Sequence, residues 1–184
     1  MGSISIAVFC SASEEVDDQY RRFAEEVGRC IGDRGWTLVT GGQSASMMGA
    51  VADGARTVGG RTIGVIPASL LHKADPNSHE LVRVSSISER KETMIARADA
   101  ILALPGGVGT CDEIFMSWTE VMAGPRRKPL VVLDDSGHYS ELIMWIDRMV
   151  SCGFIGKEHR QAISVVERIS DALDECGGIA NRAA

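Results

Sequence analysis

The residues Pro105-Gly106-Gly107-Val108-Gly109-Thr110-Cys111-Asp112-Glu113 end a glycine-rich run with a hydroxyl and place a carboxylate, Glu113, about one helical turn after Gly109. The apolar run from Ala98 to Leu104 before them has the character of a buried parallel strand, and the segment after Gly109 carries helical periodicity. The glycines therefore make a strand-to-helix turn. At such a turn the first backbone N–H groups lack internal partners and carry the positive end of the helix dipole, so an anion fits. Glycine lets the backbone approach a ligand closely, and Pro105 stiffens the entry. A carboxylate beside an anion cradle points to chemistry on a phosphorylated sugar. The spacing Thr110-x-x-Glu113 also reads as a capping box. The two readings are compatible, since Thr110 can cap and still touch a phosphate.

A second cluster is Ser88-Glu89-Arg90-Lys91. Ser88 suits the cap of a helix starting at Glu89, yet Lys91 stands where a capping box would have Glu or Gln. Cations in a first turn oppose the dipole, and an anionic ligand would compensate Arg90 and Lys91. The plainer alternative is two solvated charges softened by Glu89 and Glu92.

Other chemistries fail on spacing. There is no G-x-x-x-x-G-K-[ST], no G-x-G-x-x-G after the first strand, no H-E-x-x-H and no G-x-S-x-G. His72, His79, His138 and His159 lack metal-ligand spacing and are expected on the surface or in loops; no metal site is expected. Cys111 falls in the first turn of the loop helix, where a thiol pKa can drop, but with no evident His partner it reads as packing.

The elements that position these groups alternate. Ile4 to Cys10, Trp36 to Thr40 and Arg61 to Ile66 read as strands, with helices from Val16 to Ile31 and Met47 to Val58 between them. Residues 68–79 are polar and irregular, a lid or pocket rim, followed by a weak strand at Leu81 to Val84. A helix from Glu89, the strand to Leu104, the loop helix, a strand at Pro129 to Leu133, a helix from Tyr139 to Val150, a strand at Ile163 to Val166 and a helix to Cys176 complete the pattern. The expected fold is α/β: a doubly wound, Rossmann-like parallel sheet flanked by helices on both faces, as a single nucleotide-binding domain over residues 1–184. Ligands of such sheets sit outside the carboxyl ends of the strands. The segments Ser11-Ala12-Ser13, Gly41-Gly42-Gln43-Ser44, Ser88 to Lys91 and the Pro105 loop should converge there.

Composition narrows the partners. A formal charge of -6 argues against generic nucleic-acid binding. Cys10, Cys30, Cys111, Cys152 and Cys176 are odd in number and widely spaced, which favours reduced thiols in the cytoplasm. The N-terminus has no basic segment before its short apolar run, and no stretch is long enough to cross a bilayer, so neither secretion nor a membrane is expected. Ile114, Phe115, Met116, Trp118, Val121 and Met122 cover more than one stripe of their helix; one side suits the sheet and another a second subunit, giving a homodimer, unless the helix is buried within its own domain. Arg126-Arg127-Lys128 reads as a solvated, dipole-compensating turn.

PGGVGTCDE at 105–113 has the form PGGxGTxxE and follows Ser-Glu-Arg-Lys at 88–91. With VFCSAS at 8–13, the GG...MGAVADGA region at 41–55 and GVIP at 64–67, nearly the whole chain resembles the Lonely Guy family of cytokinin-activating phosphoribohydrolases. The resemblance implies hydrolysis of the N-glycosidic bond of a nucleoside 5′-monophosphate to free base and ribose 5-phosphate, without metal or organic cofactor. It implies homodimers or larger assemblies with active sites near the subunit interface. Arg90 and Glu113 become the catalytic pair, and Gly106, Gly107, Gly109 and Thr110 the phosphate holders; Lys91, Val108, Ser11 and Gly42 complete the expected substrate-binding set. Members often carry the label lysine decarboxylase, but nothing in this sequence offers a pyridoxal site.

The chain departs from the family in places. A common GGGxxGxMG stretch is Gly41-Gly42-Gln43-Ser44-Ala45-Ser46-Met47-Met48-Gly49 here, Ile87-Ser88 replaces a Met-His or Met-aromatic pair, Met116 occupies an often acidic position, and the loop near His72 lacks Arg-Glu. These changes fall on the base pocket. Adenine-type cytokinin nucleotides lead as substrates, with another purine or a pyrimidine monophosphate as alternatives. The competing class is a nucleotide-binding sensor or carrier without chemistry.

Overall fold

Seven short runs rich in Ile, Val, Leu and Ala become the strands of one parallel sheet in the computed structural model, which describes residues 3–123 and 128–183. The strands are β1 (Ser5–Phe9), β2 (Thr37–Thr40), β3 (Thr62–Pro67), β4 (Glu80–Val84), β5 (Ala100–Ala103), β6 (Leu130–Leu133) and β7 (Ile163–Val166). Their order is β4-β3-β2-β1-β5-β6-β7. Sequence order therefore reverses at the β1–β5 pair, held in register by Ile6 against Ala100 and Phe9 against Ala103. A crevice opens at the carboxyl ends of these two strands, the usual ligand position in such sheets.

Alternation along each strand divides the core. Ile6, Val8, Leu102 and Leu133 face α1 (Asp18–Asp33), α2 (Ser46–Thr57) and α7 (Ile169–Ala183). Ala7, Phe9, Ile101 and Val132 face α3 (Ile87–Ala96), α4 (Val108–Ala123) and α5 (Ser140–Ser151). Each fully buried Ile, Leu or Phe contributes roughly 1.5–3 kcal/mol of transfer free energy. On the first face α1 and α2 lie in backbone contact, because a Cβ on Gly28 would fall 2.0 Å from the Val51 carbonyl oxygen.

Three local expectations change. Helix α3 starts at Ile87, two residues earlier than expected, and its cap is Ser86, whose Oγ accepts from the Glu89 N–H at 3.1 Å. Glu89 reaches back past the cap to accept from the Ser85 N–H at 2.7 Å, so the serine–glutamate pair that caps the helix is Ser86 with Glu89, two residues before the expected Ser88. Arg90, its N–H bonded to the Ser86 carbonyl, already sits inside the helical ladder. Helix α4 starts at Val108, which puts Thr110 inside the helix; the Thr110–Glu113 capping box does not form. Residues 68–79 contain a 3-10 helix (Ala68–Lys73), and a short α6 (Lys157–Arg160) precedes β7. Arg126 and Arg127 lie outside the described residues.

Candidate active site

The glycine turn works as its composition dictates. The first helical bond of α4 runs from the Cys111 N–H to the Gly107 carbonyl at 3.0 Å, leaving the amides of Val108, Gly109 and Thr110 without intrahelical partners. A Cβ on Gly106 would fall 2.1 Å from Thr110 Oγ1, so only glycine lets Thr110 fold back over the turn. Gly107 and Gly109 have nothing within 4 Å of where a Cβ would be, leaving the space before the amides open.

The turn is braced from β6. Asp134 accepts from the backbone N–H groups of His138 at 2.7 Å and Tyr139 at 2.9 Å. The Tyr139 hydroxyl then donates to the Leu104 carbonyl at 2.9 Å, and His138 Nε2 to the Gly106 carbonyl at 2.8 Å. A carbonyl oxygen accepts only, so His138 carries its proton on Nε2. Burial pushes the Tyr139 phenol far above its ordinary pKa, and it stays a neutral donor.

Two ion pairs join α3 to α4. Arg90 Nη2 donates to Glu113 Oε1 at 3.1 Å, with both side chains about nine-tenths buried. One residue along each helix, Lys91 Nζ meets Asp112 Oδ2 at 2.7 Å. The Arg90 guanidinium also lies against Gly41, where a Cβ would fall 3.2 Å from Nη1, while its buried Nε has no partner among the described residues. Burial raises the Glu113 carboxyl from 4.5 to about 7, even though the Arg90 charge pulls the other way. A carboxyl poised there can take up or release a proton near neutrality.

These groups share a cavity of about 250 Å³, lined by Cys10, Ser11, Ala12, Gln43, Met48, Arg90, Gly107, Val108, Gly109, Thr110 and Glu113. Of the expected site residues, Arg90, Glu113, Ser11, Gly107, Val108, Gly109 and Thr110 come together there. Gly106 instead lines an adjoining apolar hollow with Tyr20, Met47 and His138. Lys91 does not line the cavity and is tied to Asp112. Gly42 does not line the cavity: at φ +74° it turns the chain so that Gln43 does. Gln43 and Met48 thus join the site from the departed glycine-rich stretch, which was the signal for them. Nothing in the local sequence pointed to His138 and Tyr139, which act across more than thirty residues.

The cysteines are free thiols, and burial raises both Cys111 and, more strongly, Cys10. Cys111 therefore behaves as packing. Among the described residues no group of His, Cys, Asp or Glu is placed to hold a metal ion, and no helix is long and apolar enough to cross a membrane.

A family model described as "possible lysine decarboxylase" matches residues 48–176. Across 177 residues the chain is 42% identical to a cytokinin riboside 5′-monophosphate phosphoribohydrolase of Mycobacterium tuberculosis, covering 95% of this chain and 94% of that protein. The chain belongs to the Lonely Guy family. A phosphoribohydrolase of the same name from Rhodococcoides fascians is 36% identical over 172 residues, 92% of this chain and 87% of that one. Among solved structures, the molybdenum cofactor carrier protein of Chlamydomonas reinhardtii superposes with TM-score 0.76 at 21% identity, over 98% of this chain and 99% of that chain. A molybdenum cofactor binding protein of Rippkaea orientalis does so with TM-score 0.77 at 20% identity, covering 97% and 98%. At those identities the likeness establishes the fold. The Lonely Guy relatives and the Arg90–Glu113 geometry bear on chemistry.

Proposed function

We propose that this protein hydrolyses the N-glycosidic bond of a nucleoside 5′-monophosphate, releasing free base and ribose 5-phosphate, as the names of its Lonely Guy relatives indicate for them. The observation that carries the reading is the buried Arg90–Glu113 pair in the same cavity as the exposed amides of α4.

In this reading the 5′-phosphate sits on the Val108, Gly109 and Thr110 amides, whose partial charge favours it and fixes the ribose for reaction. As the C–N bond lengthens, the sugar gains oxocarbenium character. Glu113, ionised, stabilises that charge or orients and deprotonates the attacking water. The water oxygen bonds to the anomeric carbon, the bonding pair leaves with the base, and a proton from solvent or Glu113 completes the base. Arg90 holds the carboxylate in place and offsets negative charge while the base departs. Lys91, anchored on Asp112, adds positive potential at the edge. The protein acts as one nucleotide-binding domain per chain, assembled as a homodimer; its free thiols suit the reducing cytoplasm.

Replacing Glu113 by Gln is expected to abolish base release from AMP while leaving AMP binding within a few-fold of the parent. Turnover retained in Glu113→Gln, by chromatography of the free base, would remove Glu113 from the reaction.

A further inference from the structure

Gln43, a lining residue of the reaction cavity, has only 8% of its surface exposed, yet nothing among the described residues hydrogen-bonds its carboxamide. Its backbone is held firmly. Gln43 bridges to Ala74, flanked by bonds from the Ser44 N–H to the Lys73 carbonyl at 3.1 Å and from the Asp75 N–H to the Gly42 carbonyl at 2.8 Å. Asp75 is itself anchored by Arg56 at 2.8 Å. A braced backbone presenting a nearly buried, unpartnered amide to a cavity is expected where a ligand supplies the missing bonds.

Its place in the cavity tells which part of a ligand it meets. The α4 amides lie at the end of β5, while Gln43 follows β2, on the far side of β1. Between them stand Glu113 and Arg90, the latter against Gly41 at the end of β2. A nucleotide carries its 5′-phosphate and base on opposite ends of the ribose. With the phosphate on α4 and the anomeric carbon at Glu113, the base extends toward Gln43 and Met48.

We propose that the Gln43 carboxamide reads the Hoogsteen edge of the substrate's base and selects a 6-aminopurine over a 6-oxopurine. Oε1 accepts from the exocyclic amine while Nε2 donates to N7, a pairing that fits adenine geometry. The amine of an N6-substituted adenine keeps one N–H and satisfies the same pair. A 6-oxopurine offers two acceptors on that edge, leaving the amide oxygen opposed and unsatisfied. Met48 supplies an apolar, polarizable wall beside the ring.

This inference rests on the proposed hydrolase reading, and one set of assays separates the two. Base release from AMP and IMP is measured for the parent, Gln43→Leu and Gln43→Glu, with ribose 5-phosphate inhibition measured on each. The parent should prefer AMP, and Gln43→Leu should lower kcat/KM for AMP about tenfold, the value of a hydrogen-bonded pair, and bring the AMP-to-IMP ratio toward one. Gln43→Glu, which keeps an acceptor and loses the donor, should weaken AMP less than IMP. Inhibition by ribose 5-phosphate, which lacks the base, should stay within twofold of the parent. An AMP-to-IMP ratio unchanged in Gln43→Leu would overturn the proposal, as would ribose 5-phosphate inhibition weakening in parallel with AMP turnover, which would place Gln43 on the sugar. A parent that releases base from no nucleoside monophosphate would overturn the hydrolase reading itself.

Discussion

At the scale of the residue, the decisive group is Glu113, whose carboxyl is lifted to about 7 by burial against the opposing pull of Arg90. If it works as a carboxylate, kcat/KM for base release rises with pH through about 7 and then levels; a pH–rate profile checks this. The same shift acts on stability. Between its ordinary 4.5 and about 7 the folded protein keeps a proton that the unfolded chain has released, so folding stability falls as pH rises across that window. At roughly 1.4 kcal/mol per pH unit the loss is about 3 kcal/mol. Urea unfolding from pH 5 to 8 should show that slope in the parent and a flatter one in Glu113→Gln. Arg90, Glu113 and the phosphate glycines were legible in the sequence because their types and order are unusual. Arg90 and Lys91 do not stand as uncompensated cations at a helix start, since α3 begins at Ile87 and each cation has a carboxylate partner on α4.

At the scale of the element, the N-terminus of α4 does two jobs whose demands differ. Glycine at position 109 costs the helix up to about 1 kcal/mol relative to alanine, yet a Cβ there would meet nothing within 4 Å. Helical Cβ atoms lean toward the N-terminus, which at this position means toward the proposed phosphate site. Gly109→Ala should therefore raise thermal stability by up to about 1 kcal/mol while raising KM for AMP at least tenfold. Calorimetry and kinetics read the two effects separately. A variant with both stability and KM unchanged would place the phosphate elsewhere. The start of α2 shows the opposite compromise: Ser46, its first residue, takes φ +54°, a left-handed conformation that glycine would adopt without strain, with its Oγ buried and without a partner among the described residues. Periodicity located nearly every strand and long helix, but not the 3-10 helix at Ala68–Lys73, whose order comes from pairing with the Gly42–Ser44 segment far away in sequence. Helix starts also shifted by a residue or two. Caps are decided by single hydrogen bonds such as Ser86 Oγ to the Glu89 N–H, and three serines at 85, 86 and 88 offered near-equal alternatives.

At the scale of the molecule, the parallel order reversing at β1–β5 brings the ends of β1, β2 and β5 and the helices α3 and α4 to one cavity. Helix α4 buries Ile114, Trp118 and Val121 in its own domain and leaves Phe115 packed edge-on against Trp145 of α5. Met144 and Trp145 of α5 and Phe154 just beyond it are exposed large apolar side chains, a feature that a subunit interface would cover. Sedimentation should give a homodimer at micromolar concentration, and Trp145→Glu should shift it toward monomer. A 19.7 kDa species alone in the parent would contradict that assembly. The most direct test of the whole account compares release of adenine from AMP and from adenosine under identical conditions. If the exposed amides of α4 hold the phosphate while Glu113 acts on the ribose, kcat/KM for adenosine falls at least about a thousandfold below that for AMP, because binding energy at the phosphate positions the reacting bond. Comparable turnover of the two would show that the glycine turn plays no part in the reaction.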